Sequence, residues 1–367
     1  MVFIKVVVYA ICKNEEKNVD LWYESMKEAD DIYVLDTGST DNTIKLFKKY
    51  KKVHVSEKKY DEFRFDVARN DSLDLVPKDV DICVCTDIDE RFRPGWREKI
   101  EKAWVSEPNV NRLKYTYNWS LTEDGRPGTT FWLGKIHSRE NFHWERPIHE
   151  YLRCSVVQKE IEAPGVVLDH FHDVKKNRDF YLDLLEVQVK ELPNDPRAHY
   201  LLGREYLVKG RYDDCIAILH KLLNLPNEKW DQERAFAMRY IADSYRGKGY
   251  VQEAILFYNM AINETPTVRE PRFYLGRYYY HLKDYTNARR LLNQALFIDK
   301  RNDKYTNEAA PWDGTIYKYL ADCEYECGYI DKALERLDEA IKLFPKDKDL
   351  KKKKREWKKK KKELDNK

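Results

Sequence analysis

Two carboxylates separated by one residue, Asp87 and Asp89, close an apolar run that begins at Val80 and ends at Cys85. On extended backbone, acids two apart project to the same side and can share one hard cation with a diphosphate. The run before them is mostly β-branched or small, as in a strand buried on both faces of a parallel sheet. The acids therefore fall at its carboxyl end, where the loops of an open α/β sheet surround a ligand crevice. A solvated turn with a helix-capping Asp would look the same locally, so the surrounding elements must decide.

Those elements alternate. Ile4 to Ile11 reads as a strand, followed by the polar turn Cys12-Lys13-Asn14-Glu15-Glu16-Lys17-Asn18 and a helix carrying Val19, Leu21, Trp22, Met26 and Ala29. Asp31 to Leu35 is a second strand, closed by Asp36-Thr37-Gly38-Ser39-Thr40-Asp41-Asn42-Thr43, in which Gly38 permits a tight turn and Ser39, Thr40 or Asp41 can cap the helix running to Tyr50. Val53 to Ser56 is a third strand, and Phe63 to Leu75 a helix containing Ala68-Arg69-Asn70. This βαβαβ order predicts a doubly wound, mostly parallel sheet of the nucleotide-binding kind. Arg93-Pro94-Gly95-Trp96 starts a further helix with Pro94 near its first turn. Asn109 to Leu168 is aromatic and β-rich, with a turn at Glu123 to Gly128. Five of the nine histidines, His137, His143, His149, His170 and His172, crowd into this part of the chain, close to the expected cation.

The 367 residues are long enough for two or three domains. The net charge of +3 is unevenly spread: Lys346 to Lys367 holds thirteen Lys or Arg against five Asp or Glu, and the rest is mildly acidic. No run is long enough for a membrane span, and the start reads into a strand without a signal-peptide cleavage site, so a soluble cytoplasmic protein is expected. Seven scattered cysteines argue against a disulfide framework. Cys83, Cys85, Cys323 and Cys327 are read as core residues.

The second half repeats itself. The pairs Gly203/Cys215, Ala242/Ala254, Gly276/Ala288 and Ala321/Ala333 are each twelve apart, and Leu222, Ala261, Ala295 and Ala340 follow seven residues later. This resembles the tetratricopeptide repeat, in which small residues let paired helices approach and each unit buries its apolar face on the next. Extra residues around Asp299 to Trp312 interrupt the array. The Lys-rich end around Trp357 reads as a solvated extension of the last helix that could also meet anionic lipid.

Ile11-Cys12-Lys13-Asn14-Glu15-Glu16, Asp36 to Thr43, Ala68-Arg69-Asn70 and Thr86-Asp87-Ile88-Asp89-Glu90 together resemble a family 2 glycosyltransferase of the GT-A fold, over about residues 4 to 172. Within it the chain looks most like lipopolysaccharide-core glucosyltransferases and peptide S-glycosyltransferases, which carry a late His-Glu motif, here His149-Glu150, and a later strand with histidine, here His170 and His172. The expected architecture is an α/β GT-A domain at 1–175, a linker helix at 176–195, an all-α tetratricopeptide solenoid at 196–345 and a Lys-rich tail at 346–367. The resemblance implies that Asn14, Glu15 or Glu16, Asp36, Gly38 and Ser39 line the uracil and ribose site of a UDP-sugar. It places Arg69 near the diphosphate or the donor sugar. Asp87 would hold the ribose, and Asp89 with His170, or its rival His172, would hold Mn²⁺ or Mg²⁺. Glu150 would be the catalytic base of an inverting displacement, with Glu145 and Asp169 as alternatives. His143 and His149 are read as packing or acceptor-site residues, and Trp119, Trp132 and Trp144 as sugar-stacking or core residues. The Q-x-x-R-W motif of processive synthases is absent, which favours transfer of a single sugar to a glycan, lipid-linked or peptide acceptor. The repeats would recognise the acceptor, a protein partner or a second copy. A repeat scaffold with a degenerate nucleotide-binding domain is the competing interpretation, and nucleic acid is not the expected partner.

Overall fold

The computed structural model describes residues 4–122, 124–171, 180–302 and 304–365, so His172 lies outside the described residues. The chain divides into two compact units, Met1–Thr122 with Thr129–Gln188 and Glu123–Gly128 with Val189–Lys367.

In the first unit, β1 (Val6–Cys12), α1 (Val19–Met26), β2 (Asp31–Asp36), α2 (Thr43–Phe47), β3 (Val53–Glu57), α3 (Phe65–Asp74) and β4 (Ile82–Cys85) alternate strand and helix. They are followed by β5 (Glu90–Phe92), α4 (Trp96–Trp104), β6 (Arg112–Asn118), β7 (Thr130–His137), β8 (Phe142–Glu145), β9 (Tyr151–Cys154) and β10 (Glu160–His170). One sheet runs in the order β3-β2-β1-β4-β7-β6-β10-β5, and β8 pairs with β9 apart from it. The strands β3, β2, β1 and β4 are mutually parallel. Beyond β4 the sheet becomes mixed: β7 is antiparallel to both β4 and β6, β10 is parallel to β6, and β5 is antiparallel to β10.

Alternation along the central strands sends side chains into two cores. Val6, Val8 and Ala10 of β1 and Ile82 and Val84 of β4 pack with Trp22, Met26, Trp96 and Ile100 on one face. Val7 and Tyr9, with Cys83 and Cys85, pack with Leu73, Val76 and Trp144 on the other. Burial on both faces explains why β4 is apolar at every position. Two sequence expectations shift slightly. Leu21 is exposed rather than part of the apolar stripe of α1. The N-cap of α4 is Gly95, so Pro94 precedes the helix instead of entering its first turn.

The helical repeats follow α5 (Phe180–Glu191), which lies within the range expected for the linker helix. Four hairpins succeed one another: α6 (Pro196–Val208) with α7 (Tyr212–Leu223), α8 (Asp231–Lys248) with α9 (Val251–Glu264), α10 (Arg269–His281) with α11 (Tyr285–Phe297), and α12 (Gly314–Glu326) with α13 (Ile330–Leu343). Cys215, Ala242, Ala254, Ala288, Ala321 and Ala333 are fully buried at equivalent positions. Their smallness is a steric requirement: a Cβ on Gly203 would sit 2.4 Å from Leu219 Cδ2 of the paired helix.

The Lys-rich end is not a solvated extension. A turn at Phe344–Asp347 separates it from α13, and it folds into a helix of its own, α14 (Lys348–Asp365). Leu350 and Trp357, seven residues apart on one helical face, are buried against the last hairpin, and the Trp357 ring stacks on Tyr325 at 3.8 Å. Lys353 Nζ donates to both Asp322 oxygens at 2.7 and 2.6 Å, while Lys354 pairs with Asp338 and Lys361 with Asp331. Two apolar residues among so many lysines carried the signal of a terminal capping helix. No helix among the described residues is long and apolar enough to cross a membrane.

Trp357→Ala is expected to destabilise the helical unit by about 3 kcal/mol, as deletion of a buried aromatic does. Lys358→Ala, on the exposed face of α14, should change stability by less than about 0.5 kcal/mol. Urea unfolding of the two variants measures the difference.

Candidate functional site

The parallel register sets Cys12 of β1 beside Asp36 of β2, so the polar turns leaving both strands meet. Asp36 is buried, and its Oδ1 accepts from the backbone N–H groups of Gly38 at 2.9 Å and Ser39 at 2.8 Å. That turn takes Gly38 to φ +110°, where a side chain would be strained. Ser39 Oγ accepts from Asn14 N at 2.8 Å, and Asn14 Oδ1 accepts from Thr40 N at 2.7 Å. Glu16 Oε2 accepts from Asn42 N at 3.1 Å, and Glu15 Oε2 from Asn18 Nδ2 at 2.9 Å. All six residues expected at a nucleotide pocket thus lie together in one hydrogen-bonded rim at the carboxyl ends of β1 and β2.

Arg69 occupies the centre of the site. It is buried on α3, beneath the end of β4. Its Nε donates to Glu150 Oε1 at 2.8 Å, Nη1 to the Thr86 carbonyl at 3.4 Å, and Nη2 to Asp87 Oδ1. The neighbouring Asn70 clamps β8 from both sides, donating to Trp144 O at 2.9 Å and accepting from Trp144 N at 2.8 Å. Sequence reasoning gave Asn70 no role; the clamp explains why an amide sits beside the arginine. It anchors the segment that leads to Glu150, in which Arg146 and His149 take left-handed backbone at φ +80° and +52°. Such strain in residues other than glycine persists only where the surroundings enforce it. The Glu150 side chain is mostly buried, and its ion-pair partner is Arg69.

The backbone of Asp87 to Glu90 is a turn, with Glu90 N donating to Asp87 O at 3.1 Å, not the extended segment assumed from the D-x-D spacing. The two aspartates consequently take different partners. Asp87 meets Arg69 and, at 3.6 Å, the ammonium of Lys135 from β7. Burial alone would raise its carboxyl, but the two cations overcome that and hold it well below the usual carboxylate range. Asp89 Oδ2 lies 3.4 Å from His170 Nε2, near the end of β10. Burial pulls the His170 imidazole down, yet the Asp89 carboxylate outweighs it and leaves its pKa raised. Glu90 is fully buried beneath them, accepting from Asp87 N at 2.8 Å, and burial raises its pKa. Lys135 and Glu90 escaped the sequence reading. The signal was a lone lysine inside the otherwise uncharged strand Phe131-Trp132-Leu133-Gly134-Lys135-Ile136.

The remaining candidates stand elsewhere. Asp169 is engaged by Arg93 at 2.9 Å and by Asn118 Nδ2 at 2.6 Å. Glu145 is bound to Arg153 at 2.7 Å and to His143 at 3.1 Å. Trp144 is core, Trp119 is exposed, and Lys114 lies over the Trp132 ring at 3.6 Å. His137 is a core histidine in a closed relay. Trp144 Nε1 donates to Tyr9 Oη at 2.9 Å, Tyr9 donates to His137 Nε2 at 2.8 Å, and His137 Nδ1 donates to Ser138 O at 2.7 Å, an assignment that satisfies every group with a neutral ring.

The profile described as glycosyl transferase family 2 matches residues 7–161, which hold β1 through β9, Arg69, the D-x-D turn and Glu150. These residues form a family 2 glycosyl transferase domain. No curated protein matches the chain. A thermophilic tetratricopeptide-repeat protein of Thermus thermophilus is 24% identical, covering 49% of this chain and 89% of its own, with a TM-score of 0.37. The MamA protein is 19% identical over 44% of this chain and 79% of its own, with a TM-score of 0.35. The tetratricopeptide-like array itself is established by the hairpin order and buried small residues described above.

In the glycosyl transferase domain, Arg69→Met removes the shared partner of Asp87 and Glu150. Because Asp87 is half-exposed and retains Lys135, the expected loss is about 3 kcal/mol, the low end for breaking a buried ion pair, read by urea unfolding. Burial pushes the His137 imidazole from 6.5 down to about 3, so the folded state refuses a proton that the unfolded chain accepts. Stability should be unaffected by this group above pH 6.5 and fall as the pH drops from 6.5 towards 3, by up to about 1.4 kcal/mol per unit. His137→Gln should flatten that slope in unfolding measurements across the range.

Proposed function

We propose that this domain is a metal-assisted, inverting transferase that moves one hexose from a nucleotide-sugar, with a UDP-sugar favoured by the resemblance of the strand-tip motifs, to a glycan, lipid-linked or peptide acceptor. The observation that carries the proposal is the convergence of Asp87, Asp89, His170, Arg69 and Glu150 around the end of β4, beside the rim built by Asn14, Asp36 and Ser39. Among the described residues no group of three His, Cys, Asp or Glu side chains is arranged around one metal position. Asp89 and His170 offer two donors, and a Mg²⁺-like ion usually takes the rest from substrate phosphates and water. The donor set therefore fits a divalent cation delivered with a diphosphate. When bound, that ion would neutralise charge on the departing diphosphate.

The protein's own groups divide the remaining work. The rim residues would bind base and ribose, with lone pairs of Asp36 facing N–H or hydroxyl donors. His170 must give up the proton that Asp89 helps it retain before its nitrogen can ligate. Glu150, fixed by the Arg69 Nε bond, would take the acceptor's proton as that atom bonds to the anomeric carbon and the carbon–oxygen bond to the diphosphate breaks. Arg69 would act as a positioning residue, since its guanidinium is already engaged by both carboxylates. That mutual engagement of Arg69, Asp87 and Glu150 is also what favours the second reading, an inactive domain joined to a helical scaffold. The pairing of lysines on α14 with acids of the last hairpin gives no support to a tail free to lie on a membrane.

Thermal shift with UDP- and GDP-sugars, with and without Mn²⁺, tests the proposal. UDP-sugars should stabilise the protein only with the metal, and Asp89→Ala should abolish the shift. Glu150→Gln should lower transfer at least about a hundredfold while leaving nucleotide affinity unchanged. No metal-dependent nucleotide binding by the wild type would favour the scaffold reading.

A further inference from the structure

The fork of Arg69 is taken up by Glu150, Asp87 and the Thr86 carbonyl, and Lys135 faces Asp87, so both of these cations are compensated inside the protein. A second guanidinium near the D-x-D turn is not. Arg91 is the middle residue of β5, two positions beyond Asp89, and is half-buried. The residue opposite it on β10 is Asp169, whose oxygens are already engaged by Arg93 at 2.9 and 3.2 Å and by Asn118 at 2.6 Å. Arg91 consequently has no carboxylate of the described residues within salt-bridge distance.

Its few contacts tie it to both halves of the site. Arg91 Nη2 donates to Asn18 Oδ1 at 3.0 Å, and Asn18 Nδ2 donates in turn to Glu15 Oε2 at 2.9 Å, on the nucleotide rim. The guanidinium lies over the Phe171 ring at 4.2 Å, and Phe171 N donates to the Asp89 carbonyl at 2.7 Å. That ring contact fixes the plane of the fork without consuming an N–H group. Nε is buried and meets no acceptor among the described residues, and Nη1 has none either. A half-buried guanidinium left with one neutral amide is short of acceptors, and such a deficit calls for an explanation.

We infer that Arg91, not Arg69, is the guanidinium that binds the phosphate oxygens of the nucleotide-sugar, an inference that rests on the transferase reading and adds a residue to it. The reasoning is one of connectivity and charge. In a nucleotide-sugar the diphosphate is the link between the ribose and the transferred sugar. If the rim receives base and ribose and Asp89 receives the cation, the phosphates pass between Glu15 and Asp89, the two residues to which the contacts of Arg91 lead. A planar fork with unused N–H groups matches phosphate oxygens, whereas a guanidinium already shared by two carboxylates would have to surrender one of them to do the same. Arg91 thereby favours ligands that carry phosphate over the bare nucleoside, and it keeps its hold as negative charge grows on the departing group.

Dissociation constants of the full chain for UDP and for uridine, measured by ligand-observed NMR in the presence of Mn²⁺, test the inference. Arg91→Gln should weaken UDP about tenfold, as loss of one charge-assisted contact does, and leave uridine unchanged. Arg91→Lys should fall between wild type and Arg91→Gln, because it keeps the charge and loses the fork. Urea unfolding followed by circular dichroism checks that both variants are folded, as a residue with one hydrogen bond and one ring contact to the protein should allow. Equal UDP affinity in wild type and Arg91→Gln would overturn the assignment and leave the transferase reading standing. Equal weakening of UDP and uridine would make Arg91 a support for the Asn18 turn and overturn the assignment as well. If the wild type bound no UDP with Mn²⁺, the transferase reading itself would fall, and the role of Arg91 with it.

Discussion

One buried guanidinium organises the glycosyl transferase domain. Arg69 leaves α3 beneath the end of β4 and touches the acid that follows that strand and the acid that follows β8. A buried cation is tolerable only when its hydrogen-bonding capacity is met by anions or carbonyls. Without it Glu150 would lose its ion pair and Asp87 would keep only Lys135, at 3.6 Å. The fork geometry of arginine matters here, because a lysine could not satisfy two carboxylates and a carbonyl with fixed angles. Asn70 completes the arrangement by fixing the main chain of β8, so the fold's connectivity and the site's geometry are parts of one constraint.

The sheet makes that constraint affordable. With β4 flanked by β1 on one side and β7 on the other, its tip is reached both by the turns of the parallel half and by Lys135 from the antiparallel half. The switch from parallel to antiparallel pairing at β7 is what allows a cation to approach Asp87 from a strand running the other way. Two charged layers result: Arg69, Asp87, Glu150 and Lys135 compensate one another, while Asp89 and His170 form a separate pair a few residues away.

In the helical unit the governing constraint is steric. Close approach of paired helices demands a small residue, glycine, alanine or cysteine, at each crossing, and the twelve-residue offset records the stretch of chain from the crossing on one helix, around the turn, to the crossing on its partner. Departures from the repeat are where the unit acquires individuality. Described residues between α11 and α12 bring Glu308 to Arg239 of α8 and Trp312 to Glu270 of α10. The lysine-rich end becomes a cap because Leu350 and Trp357 share a face and acids of α12 and α13 receive its lysines.

Local pattern alone determined the order of elements, the burial of β4 on both faces, the placing of two acids at its end and the hairpin period. Each is a property of residues within a few positions of one another, where strand alternation and small-residue spacing act. The sequence missed Lys135, Glu90, the clamp of Asn70 and the docking of α14, because a lysine, a glutamate or an asparagine has no local preference that reveals its partner. Arg69 and Glu150 are 81 residues apart, and Lys353 reaches Asp322 across 31. Charges pair with whatever the folded backbone sets within a few ångströms, so tertiary structure decided which groups meet, including that Asp87 and Asp89 face different partners across a turn.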